Sequence, residues 1–139
     1  MRQRLLAEMV RTFRGDPNYT AYASRGIRDG VGHVVADLVV RRKHGPVHLF
    51  RLEVDDTFSV EEAERSWRPI AEEARKLGAR AWIVVPSHQK LRAEAIVAQE
   101  RIPANIRGYD APFDGPIRFD WPRTEVRAAA FRPIHAPAL

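Results

Sequence analysis

Residues 34–55, VVADLVVRRKHGPVHLFRLEVD, constrain the fold more than any other part of the chain. They read as two strands joined by a tight turn at His44-Gly45-Pro46. Side chains along a strand alternate between its faces. One face of this hairpin carries Val34, Ala36, Leu38, Val40, His48, Phe50, Leu52 and Val54. The other carries Asp37, Arg41, Arg51, Glu53 and Asp55 among Val35, Val39 and Leu49. A turn centred on Gly45 sets Asp37 opposite Glu53 and Val35 opposite Asp55. A slip of one residue would expose half of the apolar set, whereas registers shifted by two keep Asp37 and Glu53 neighbours, directly or diagonally. Three carboxylates thus gather on the polar side. Like charges facing each other destabilise a sheet. Two arrangements would offset the repulsion: a divalent metal, or pairing of the acids with Arg41 and Arg51 on a solvated face.

The chain of 139 residues is the size of one ordinary domain, and 45% hydrophobic residues suffice for a core. No run approaches the ~20 apolar residues of a membrane span. Leu5, Leu6, Met9 and Val10 are interrupted by charge, unlike a signal peptide. The chain has no cysteine, which excludes disulfides, thiol nucleophiles and thiolate-held zinc. A cytoplasmic location is expected. The net charge is +5, and Lys43, Lys76 and Lys90 are the only lysines among 23 basic residues. Arginine's planar fork suits phosphate, which points toward nucleic acid.

The rest of the chain alternates helix and strand. Residues 2–13 predict a helix with Leu5, Leu6, Met9, Val10 and Phe13 on one stripe. Residues 19–24 suggest a first strand, and the glycine-rich residues 25–33 a mobile loop. Residues 60–77 predict a strong helix. Ser59 with Glu62 forms a capping box, Gly78 is a stop, and Val60, Ala63, Trp67, Ile70, Ala74 and Leu77 form the buried stripe. Pro69 should kink or restart it. The unalternating AWIVV at 81–85 predicts a strand covered on both faces. A helix over 89–100 follows, with Leu91, Ala95 and Ala98 inward, then a short strand over 105–109. The order helix–β-meander–helix–strand–helix–strand defines an α/β sandwich of three-layer type with a mixed central sheet. Residues 1–109 form this domain. Residues 110–139 are a Pro-rich extended arm, and its aromatics suit packing on the domain or on a second copy, giving a homodimer.

This order, with an acid on the second strand (Ala36-Asp37-Leu38) and acids on the third (Arg51-Leu52-Glu53-Val54-Asp55), resembles the PD-(D/E)XK, or restriction-endonuclease-like, superfamily. The resemblance spans residues 2–109. It implies that Asp37 and Glu53 are metal-binding acids for Mg²⁺ or Mn²⁺, and that the chemistry is hydrolysis of DNA phosphodiesters. Asp55 stands where the motif has lysine, and Ala36 where it has proline. Asp55 would then serve as a second metal carboxylate, or Arg65 or Arg68 on the following helix would supply the missing cation. Arginine is no general base but stabilises charge developing on phosphate. Arg41, Arg51 and Arg68 are the candidate contacts to nucleic acid. The alternative implied by the lost lysine is a catalytically inactive nuclease-shaped module that binds nucleic acid or a protein partner. Glu8 is a further candidate metal contact and His33 a candidate ligand or base. His48 reads as a packed histidine, and His88 lies at the start of a helix. No HExxH, P-loop or GxSxG pattern is present.

Overall fold

A computed structural model describes residues 1–23, 36–55, 57–113 and 115–120. The glycine-rich segment with His33, and residues 121–139 of the arm, lie outside the described residues. Three α-helices and six strands are described: α1 (Arg2–Arg14), β1 (Tyr19–Ala23), β2 (Leu38–Arg42), β3 (Val47–Leu52), α2 (Val60–Leu77), β4 (Arg80–Pro86), α3 (Lys90–Gln99), β5 (Asn105–Asp110) and β6 (Arg118–Phe119). A 3-10 turn, Ser87–Gln89, leads into α3. The strands form one mixed sheet in chain order. β1, β2 and β3 are an antiparallel meander, β3, β4 and β5 run parallel, and β6 returns antiparallel to β5. The fold is therefore mixed α/β as expected. The first part of the arm contributes the edge strand β6.

Both faces of the sheet are covered. On one, Leu5, Met9 and Phe13 of α1 pack on Leu38, Val40, Phe50, Leu52, Trp82 and Val84. Their spacing along α1 is one residue every turn, the stripe of an amphipathic helix. On the other, Trp67, Ile70 and Ala71 of α2, with Ala93 and Ile96 of α3, pack on Val39, Leu49, Ile83 and Val85. Each such aliphatic or aromatic side chain stabilises the fold by about 1.5–3 kcal/mol when fully buried. The centre of the hairpin face expected to be polar is therefore core. Val39 is 2% exposed and Leu49 fully buried. The reason is the crossover helix α2, which lies over it.

α2 begins with the capping box that its sequence announces. Ser59 Oγ accepts from the Glu62 amide at 3.0 Å, and the Glu62 carboxylate accepts from the Ser59 amide at 2.8 Å. The helix ends at Gly78, whose φ of 66° is left-handed, a conformation that only glycine adopts without strain. Pro69 sits within a single continuous helix rather than restarting it. Having no N–H, it cannot donate to the carbonyl of Arg65 one turn back. Val60 and Leu77, expected inside, are exposed at the two ends of the helix, while its middle packs.

α3 corrects the sequence reading more sharply. Leu91, Ala95 and Ala98 face outward, and Leu91 is 82% exposed. Ala93 and Ile96 face inward with Val97 against the same core. Two apolar stripes compete on this short helix. The one carrying Ile96 and Val97 removes more apolar area from water.

The α1-side core contains an aromatic chain. Phe13 lies 6.1 Å from Phe50, Phe50 stacks on Trp82 at 6.1 Å, and His48 lies 6.0 Å from Trp82. His48 is fully buried, and its Nδ1 accepts a hydrogen bond from Trp82 Nε1–H at 3.0 Å. This pairing is what admits a histidine and an indole N–H to the core.

Two outcomes test this packing. His48→Leu leaves the buried Trp82 N–H without its acceptor and is expected to lower stability by about 1–3 kcal/mol in urea unfolding. The hydrogen bonds with Ser59 hold the Glu62 carboxyl below its usual value, that with the Ser59 backbone most of all. A depressed folded pKa stabilises above the unfolded pKa and ceases to do so as pH falls through the folded one. The melting-temperature gap between wild type and Glu62→Ala should therefore be present at neutral pH and narrow in acid.

Candidate functional site

The acids stand where the hairpin meets the parallel strands. Leu38 pairs with Phe50, Val39 with Leu49 and Val40 with His48. This is one of the three even registers. Continued by number, it puts Arg51, not Glu53, across from Asp37. The regular alternation also breaks at Asp37. Ala36 joins the α2-side core with Val39, whereas Leu38 points to the α1 side.

Asp37 occupies that break. Its amide donates to Phe50 O at 2.8 Å, and its Oδ2 accepts from the Leu52 amide at 2.8 Å. The carboxylate thus takes a ladder bond that the β2 backbone does not supply. Arg2 of α1 closes the arrangement. Its Nη1 donates to Asp37 Oδ2 at 2.9 Å and to Leu52 O at 2.6 Å. The ion pair is part-exposed, with side chains 38% and 17% accessible, so its own contribution is small. The bond to the amide of fully buried Leu52 contributes more, because that N–H has little access to water.

Glu53 has a different partner. Its Oε1 accepts from Arg51 Nε at 3.3 Å, two residues back on the same strand face. Its backbone is fixed twice: the amide donates to Val84 O at 2.8 Å, and the carbonyl accepts from Tyr109 Oη–H at 2.9 Å. Asp55 is exposed just beyond β3. Among the described residues, which include all three acids, no three His, Asp or Glu side chains come together as a group able to hold a metal ion. With Asp37 engaged by Arg2 and Glu53 by Arg51, these residues as arranged do not fit a divalent cation.

The other candidates are dispersed. Arg65 is exposed on α2, near Glu62. Arg68 pairs with Glu64, holding that carboxyl below its usual range, and donates to Glu100 O at 2.7 Å. It therefore binds α2 to the end of α3 rather than leaning toward Glu53. Arg41 is exposed on β2 opposite Val47. Glu8 pairs with Arg11 one turn along α1.

Sequence reasoning missed the neighbours that complete this region. A cavity of about 550 Å³ opens beside Glu53, outside the carboxyl ends of the three parallel strands. Val54 follows β3, Pro86 ends β4, and Tyr109 and Asp110 end β5. His88 and Arg118 complete the polar part of the lining. The carboxyl ends of strands are where open α/β sheets bind ligands. Arg4 of α1 holds the β5–β6 connection by donating to Gly115 O at 2.5 Å. Gly108 runs so close to Ser87 that a Cβ there would lie 3.3 Å from it. Asp120 accepts from the Gly108 amide at 3.0 Å and pairs with Lys90. Strand ends were readable in the sequence, but their convergence on one cavity was not.

Comparison of the chain with protein-family models, with curated protein sequences and with solved structures finds no match. No helix among the described residues is long and apolar enough to cross a membrane.

Asp37→Ala removes the acceptor of the Leu52 amide and is expected to cost about 1–3 kcal/mol in urea unfolding. Excess Mg²⁺ should leave the wild-type melting temperature unchanged. A cation-dependent rise that vanishes in Asp37→Asn and Glu53→Gln would instead assign the acids to a metal.

Proposed function

We propose that this chain is a nuclease-shaped module that binds DNA without hydrolysing it. One observation carries the reading: the two acids at the ends of the hairpin strands each hold an arginine, Arg2 on Asp37 and Arg51 on Glu53. Each guanidinium takes up a carboxylate oxygen that a bound cation would otherwise use, and the position of the motif lysine is occupied by exposed Asp55. The restriction-endonuclease-like reading of the fold draws support from the order of elements. A helix, an antiparallel meander, a crossover helix and a parallel fourth strand follow one another, with Asp37 and Glu53 flanking the second and third strands.

The charge supports the DNA reading. The net charge is +5, and its basic groups are overwhelmingly arginine. Arginine forks grip phosphate oxygens in pairs. Binding of this kind follows the backbone rather than the base sequence, and it weakens as salt displaces the counterion-release gain.

The test is fluorescence anisotropy on a labelled duplex across a salt series, paired with plasmid incubation in Mn²⁺. Binding should fall linearly with salt on logarithmic axes, and the plasmid should remain supercoiled. Arg41→Ala and Arg65→Ala should weaken binding similarly for unrelated sequences. Plasmid nicking that is lost in Glu53→Gln would establish the hydrolytic reading in place of this one. A protein that ignores duplex even at low salt would remove both.

A further inference from the structure

Several charges at the carboxyl-end surface of this protein are committed. Asp37 is held by Arg2, Glu53 by Arg51 and Asp120 by Lys90. Asp110 and Arg118 are not. They face each other across the β5–β6 ribbon, in direct register. Opposite charges so placed usually pair. Here, among the described residues, neither the Asp110 carboxylate nor the Arg118 guanidinium has a hydrogen-bond or ion-pair partner. Both are exposed, and both line the 550 Å³ cavity.

Besides this pair and His88, the cavity is lined by apolar side chains and a fixed tyrosine ring. Tyr109 is 4% exposed, and its hydroxyl is tied to Glu53 O, which fixes the ring. Pro86 is buried, with its backbone paired in register with Tyr109, and Val54 completes the wall beside Glu53. An apolar wall with a free cation and a free carboxylate at its rim asks for a particular ligand. It must present a flat hydrophobic body, an anionic group and a hydrogen-bond donor. The volume lies within the range of small-molecule sites, about 300–1,000 Å³.

We propose that this cavity takes one unstacked nucleotide of a single-stranded nucleic acid. The base lies on the Tyr109–Pro86–Val54 floor, Arg118 grips the phosphate, and Asp110 accepts from a base amino group or a sugar hydroxyl. Base–aromatic contact and an arginine on the backbone are the combination by which proteins hold single strands. The proposal rests on the nucleic-acid reading above and narrows it: the module holds a strand end or an extruded base as well as duplex.

The experiment is a titration of the full chain with AMP and with adenosine, followed by NMR chemical shifts and by calorimetry. AMP should bind more tightly than adenosine and shift the signals of Val54, Tyr109 and Arg118. Arg118→Gln should weaken AMP about tenfold, the scale of one charge-assisted hydrogen bond, and leave adenosine unchanged. Asp110→Asn should weaken both ligands. Both substituted positions are exposed, so neither variant is expected to disturb folding, and thermal melts verify this. Shifts that map elsewhere, equal affinities for AMP and adenosine, or binding indifferent to both substitutions would overturn the proposal. The duplex salt series reads the parent proposal separately. If duplex binds and AMP does not, the pocket alone is wrong. If neither binds, both fall.

Discussion

Burial of β3 and β4 on both faces forces every polar group at their ends to find a partner inside the protein. Leu49, Phe50, Leu52 and residues 81–86 have almost no solvent contact. A backbone amide in such surroundings costs as much as a lost hydrogen bond if it goes unmet. Where the β2 ladder stops, the Asp37 carboxylate takes the Leu52 amide. Past the end of β3, Tyr109 donates to the Glu53 carbonyl and Val84 accepts from the Glu53 amide. In the middle of the same layer, His48 accepts the Trp82 N–H. Asp37, Tyr109 and His48 thus answer first to the requirements of a doubly covered sheet.

That requirement bears on chemistry. A carboxylate that replaces a missing ladder bond and holds an arginine is less available to a cation than one standing free. Asp37 is of the first kind. Groups left over include those on the β5–β6 ribbon, where β6, two residues long, is the edge strand among the described residues. There Asp110 and Arg118 stand in register across the ribbon and line the cavity without pairing. The division follows from position: β3 and β4 are central, β5 and β6 approach the edge, and only near the edge can charges remain unmet at little cost.

Much of the architecture was readable residue by residue. The turn at Gly45, the capping box of Ser59 and Glu62, the stop at Gly78 and the buried run before Pro86 each depend on neighbours within a few positions. α3 was misread because Leu91-Ala95-Ala98 and Ala93-Ile96-Val97 both satisfy helical spacing, and only the sheet beneath chooses between them. The hairpin's second face was misread for the same reason. Arg41 and Arg51 gave it a solvated look, but Val39 and Leu49 are the residues that α2 covers.

Local pattern alone determined the order of helices and strands from α1 to β5 and the two ends of α2. Such choices are governed by periodicity and backbone preference over a few residues. Only the tertiary structure decided what each charge does. Arg2 reaches Asp37 across 35 positions and Tyr109 reaches Glu53 across 56. No spacing rule connects such residues, because their meeting is set by how α1 and β5 dock on the same sheet.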